Sequence, residues 1–106
     1  MAKYMFTGSF TADGARGILA EGGTARRAAV EKLFATAGGT LESYYFAFGS
    51  DDFFIVGDLP DGASAAAAAL TTSASGAVRT RTVVLLTPEE VDEAAKKTPA
   101  YRAPGS

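Results

Sequence analysis

The sequence contains neither cysteine nor histidine. That removes disulfides, thiolate nucleophiles, zinc sites built on sulfur or imidazole, and every Ser–His or Cys–His relay. A metal would need an all-oxygen site. Outside the last helix, with Glu89–Glu90 and Asp92–Glu93, the only adjacent carboxylates are Asp51–Asp52, in a turn and with no third oxygen ligand evident. No metal and no other cofactor is expected, and any general acid or base would have to be Asp, Glu, Lys or Tyr. Long apolar runs are missing, and "MAKYMFTGSF" lacks the charged, apolar and small-residue layout of a signal peptide. A cytoplasmic protein with no membrane partner is expected. A basic stripe is missing as well. The net charge is −2, and cations pair locally only at Arg26–Arg27, Arg79/Arg81 and Lys96–Lys97, which argues against nucleic acid as a partner.

What is present is enough apolar sequence for a core, 47% against 21% charged, in 106 residues. That length predicts a single domain over 1–106, with a core at about 3–97 and a proline-marked tail at 98–106. Lys3–Phe10 reads as a strand with Tyr4, Phe6, Gly8 and Phe10 on one face. Thr11 caps a short helix ended by Gly22–Gly23, and Thr24 caps a longer one ended by Gly38–Gly39. Leu41–Phe48 and Asp52–Leu59 form a hairpin through "GSDD". Ala63–Ser75 is an alanine-dominated helix followed by Gly76, and Ala77–Leu86 is a fourth strand. In "TPEE", Thr87, Pro88 and Glu90 open a last helix, Pro88–Lys97, by a capping box. The order β-α-β-β-α-β plus a C-terminal helix predicts an α+β, ferredoxin-like sandwich.

Two helices cover one face of such a sheet, yet both faces here are apolar: Phe53 and Ile55 against Phe54 and Val56, Val83 and Leu85 against Val84 and Leu86. The last helix, with Val91, Ala94 and Ala95, is too weakly apolar to cover the second face. A homodimer with sheets packed face to face is expected.

The stretch "EGGTARRAAVEK" holds the strongest candidate site. Val30, Leu33, Phe34 and Ala37 form the core-facing stripe of the helix, and Arg26 lies on it one turn before Val30. Arg27 points to solvent, one turn before Glu31. A charge held at Arg26 needs a partner: an internal carboxylate, backbone carbonyls or an anionic ligand, internal pairing being the commoner outcome. Asp58, alternating with Phe54 and Val56, is a candidate partner for Arg26 or a candidate base, unless it is a plain turn carboxylate near Pro60. Tyr45 is a second weak catalytic candidate. Thr24, Tyr4 and Tyr45 join Arg26 as ligand-binding candidates; Tyr44 is equally able to orient a ligand, and nothing singles one tyrosine out. Arg79 and Arg81 share a face with Val83 and Leu85, where they clamp an anion, pair across a dimer or guard an edge.

"EGGTARRAAVEKL", "GGTLESYYFAFGSDDFFIVGDLPD" and "ASGAVRTRTVVLLTPEEVDEA" together resemble the GYD-domain family of small bacterial and archaeal proteins, over nearly the whole chain. At the family's Gly-Tyr-Asp element Gly49 and Asp52 fit, while Asp51 stands where tyrosine is usual. Pro60–Asp61 and Arg26 also match. The resemblance implies a ferredoxin-like fold of the dimeric α/β-barrel type; it supplies no activity. Three functions stay open. One is binding of a small polar or anionic molecule between sheet and helices. Another is cofactor-independent enzyme chemistry (isomerase, decarboxylase or monooxygenase), which rests on fold analogy. The third is a purely structural oligomerisation module.

Overall fold

The computed structural model describes the whole chain, Met1–Ser106. Strand β1 spans Ala2–Phe10, helix α1 Ala12–Thr36, strand β2 Thr40–Phe46 and strand β3 Phe53–Leu59. Helix α2 (Gly62–Ala74), strand β4 (Val78–Leu85) and helix α3 (Pro88–Lys96) complete the order. The four strands form one antiparallel sheet, β2-β3-β1-β4, an α+β arrangement consistent with a ferredoxin-like fold. No helix is long and apolar enough to cross a membrane.

Local chemistry sets most of the boundaries. The Thr11 hydroxyl accepts from the Gly14 N–H, and the Asp61 carboxylate accepts from the Ser64 N–H at 2.8 Å. Thr87 and Glu90 satisfy each other's backbone N–H groups in the expected capping box. At the end of α1 the Gly39 N–H returns to the Phe34 carbonyl at 2.8 Å, closing the helix.

Two boundaries differ from the sequence reading. Helix α1 is two helical segments joined across a kink at Gly22, at φ 83 and ψ 172, where the glycine pair predicts the break; the cap is what differs. Only glycine takes that conformation without strain. The second half therefore resumes at Gly23, and Thr24 sits exposed within its first turn rather than capping it. Strand β2 stops at Phe46, short of Phe48. Asp52 accounts for this: its N–H donates to the Gly8 carbonyl at 2.7 Å and its carboxylate accepts from the Phe10 N–H at 3.0 Å, drawing the loop toward β1.

The core lies between the sheet and the helices α1 and α2. Tyr4 and Phe6 from β1, Tyr44 from β2, and Phe53, Ile55 and Leu59 from β3 meet Val30 and Phe34 of α1 and Ala65 and Ala68 of α2. The Phe34 ring packs edge-on to Phe6, with centroids 5.8 Å apart. It also lies against the backbone of β3, where a Cβ on Gly57 would come within 2.4 Å of it.

The opposite face carries Met5, Tyr45, Phe54, Val56 and Val83, which the strand registers place side by side. Tyr45 is 70% exposed, and Phe54 and Val83 about 40%. Helix α3 does not cover them, since every residue from Leu86 to Ser106 is exposed. The radius of gyration is 16.7 Å, against about 13 Å for a compact chain of this length; the exposed C-terminal segment is the element that extends the molecule.

Replacing Gly57 with Ala should cost about 1–3 kcal/mol, because the Phe34 ring must move off the sheet. Urea denaturation measures it, and Gly49→Ala, where a Cβ meets nothing within 4 Å, should leave the midpoint unchanged.

Candidate functional site

Phe34, Val30 and Arg26 succeed one another at four-residue intervals along α1, so the contact of Phe34 with the sheet draws Arg26 under the same helix. A cleft opens there between α1, the sheet and α2. It spans about 420 Å³ including its mouth, of which about 30 Å³ is open to the centre of a water molecule. That is room for roughly two waters before any side chain moves. Its walls are Phe6, Phe10, Val30, Leu33, Phe34, Phe53, Ile55, Ala68 and Val78.

The polar groups facing it are few: Arg26, the Tyr44 hydroxyl, Thr72 and Thr80. Thr72 is already engaged, donating to the Ala68 and Ala69 carbonyls. Arg26, half-buried, is engaged only in part, through its neighbour Tyr44. Its Nε is buried and has no hydrogen-bond partner, and no carboxylate lines the cleft. Burial pushes the Tyr44 hydroxyl above the ordinary tyrosine value of 10.0, while the neighbouring Arg26 guanidinium pulls it the other way. Tyr44 is therefore a proton-bearing donor at neutral pH. Phe10 and Arg26 also line a shallower groove under the first half of α1, so they sit between the inner cleft and solvent.

The structure separates the residues that sequence pattern groups together. Arg26 lies in the cleft. Tyr4 is a core residue, 5% exposed, that faces α2 and does not line the Arg26 cleft. Thr24 is exposed on α1, and Tyr45 is on the open face, paired in register with Phe54. Asp58 is no partner of Arg26. It sits on the open face with Phe54 and Val56, in a salt bridge to Lys3, whose ammonium is raised first by Glu42 and then by Asp58. The tyrosine beside Arg26 is Tyr44; its shared face with Phe46 was the available signal. Arg27 bonds Glu31 at 3.0 Å, as the helical spacing predicts.

A raised tyrosine value has a signed consequence. Below the ordinary value both folded and unfolded chains keep the proton. As pH rises through 10.0 the unfolded chain ionises while the buried hydroxyl resists, so the stability held by Tyr44 is lost. Thermal melts of the wild type and Tyr44→Phe between about pH 8 and pH 11 should show a shallower alkaline decline in the variant. Lys3 contributes its own decline equally to both. Identical profiles would place the Tyr44 hydroxyl in water.

No curated protein matches the chain. Residues 4–95 match the GYD domain family, a span that runs from β1 into α3 and includes every wall of the Arg26 cleft. The chain belongs to the GYD domain family.

Proposed function

We propose that this protein is a cytoplasmic homodimer that binds a small molecule with an anionic or polar head in the cleft beneath α1, and that Arg26 holds the head. One observation carries the reading: the Arg26 Nε is buried without a partner in a cleft that offers no carboxylate. An unsatisfied buried donor costs on the order of 1–3 kcal/mol, more when charged. A guest carrying two acceptor oxygens removes that cost by a charge-assisted, fork-like contact. The protonated Tyr44 hydroxyl supplies a second donor, and the phenylalanine walls suit a flat, apolar body. The small enclosed volume favours a compact guest.

Binding without proton transfer fits the cleft better than the enzyme reading, in which an isomerase, decarboxylase or monooxygenase needs a base beside its substrate. Asp58 and Tyr45, the catalytic candidates, lie on the other side of the sheet. The apolar open face supports the homodimer, because Tyr45, Phe54 and Val83 leave water when two such faces meet. The cleft in turn supports binding over a purely structural module.

Thermal-shift titration with sodium benzoate and short-chain carboxylates tests the reading. A binder at one hundred times its Kd should add about 2.7 kcal/mol to wild-type stability. Arg26→Met should lose the shift while melting no lower than wild type, since it removes the buried, unpartnered Nε–H and keeps an apolar stem. Equal shifts in both proteins would remove Arg26 from the site.

A further inference from the structure

We infer that helix α3 of one chain docks by its acidic first turns on Arg79 and Arg81 of a second copy, so that the two sheets stack with their strands running in opposite directions. The inference rests on the proposal that the open sheet faces meet, and adds which ends meet and what holds them.

The first observation concerns α3 itself. It is a carefully terminated helix, with a capping box and Pro88 in its first turn, yet none of its nine residues is buried. A helix of this length is marginal in water without a surface to pack on. The second observation is charge. Glu89, Glu90, Asp92 and Glu93 crowd its first half. Glu90 closes the capping box, while Glu89, Asp92 and Glu93 form no salt bridge within the chain.

The third observation is the distribution of charge over the open face. The end of the sheet from which α3 departs holds Lys3 with Glu42 and Asp58, because Lys3 pairs in register with Leu85. The other end holds Arg79 and Arg81, with Asp51 bound to Arg81. Arg79 is the one cation on that face without an ion-pair partner. One end is thus net acidic and leads into an acidic helix; the other offers Arg79 free of any ion pair, since Asp52 at that end is turned to the Phe10 N–H.

Arg79 and Leu85 sit six residues apart on one strand, about 20 Å, and α3 forms no ion pair with Arg79 or Arg81 of its own chain. A two-fold axis across the strands brings the α3 end of each copy over the arginine end of the other. Every contact is then made twice. An axis along the strands would set acidic end on acidic end, which is repulsive.

Light scattering across a concentration series tests this with three proteins: wild type, Arg79→Glu/Arg81→Glu, and Glu89→Lys/Glu93→Lys. The last pair leaves Glu90 and its capping box intact. Each variant alone should raise the dimer Kd about tenfold or more. An equimolar mixture of the two should recover wild-type association, since the mixed dimer has one original contact and one with both charges reversed. Should loss of the Arg81–Asp51 pair disturb folding of the double variant, Arg79→Glu alone, which breaks no ion pair within the chain, should still weaken the dimer in the same direction. A monomeric wild type would overturn the sheet-to-sheet reading and this inference together. A dimeric wild type whose variants associate unchanged, or whose mixture fails to recover, would overturn the docking of α3 alone.

Discussion

The Phe34 ring rests on the backbone of Gly57, and the distance of α1 from the sheet follows from that contact. A side chain at position 57 would strike the ring at 2.4 Å; without one, the ring reaches the strand and α1 settles low. The descent carries Val30 into the core and Arg26 beneath the helix, one turn at a time. Gly22 breaks the helix one turn before Arg26, so the guanidinium lies near a helix start with free N–H groups. The field at that start adds to the positive charge of Arg26, and both favour an anion. A packing constraint at one end of the helix thus produces an unsatisfied Nε–H donor at the other.

The second organising feature is Asp51. Its carboxylate accepts from the Thr7 hydroxyl at 3.0 Å and pairs with Arg81. Thr7, 3% exposed, shares its hydroxyl with the Phe53 carbonyl. One carboxylate therefore ties the β2–β3 turn to β1 and β4 across the open face. Asp52 beside it continues the pairing with β1 through its backbone. The two aspartates are thus held by different structural contacts.

Local signals in the sequence were sufficient for most of the elements. The capping box of α3, the glycines after α1 and the β2–β3 hairpin are decided within a few residues, and their chemistry is visible in order. The facing of the strands was not legible in the same way. Alternation divides β3 into Phe53, Ile55 and Gly57 against Phe54, Val56 and Asp58, but both sets begin apolar, so pattern alone does not say which turns inward. Gly57 settles it: the helix approaches the side that carries no side chain there, and Asp58 is left on the other. The same ambiguity separates Tyr44 from the adjacent Tyr45. Thr24 illustrates a different limit, since its chemistry suits a cap but a glycine two residues earlier makes the break. Arg26 was legible from the helical stripe; its lack of a partner depends on contacts between distant segments.

The state of the Arg26 Nε proton tests the binding site most directly. In a proton–nitrogen correlation spectrum, that proton should exchange slowly with water and move on addition of benzoate, while the Nε proton of the surface residue Arg27 should stay in place. An Arg26 signal that exchanges as fast as that of Arg27, and does not move at saturating benzoate, would contradict a buried, unpartnered Nε–H awaiting an anion.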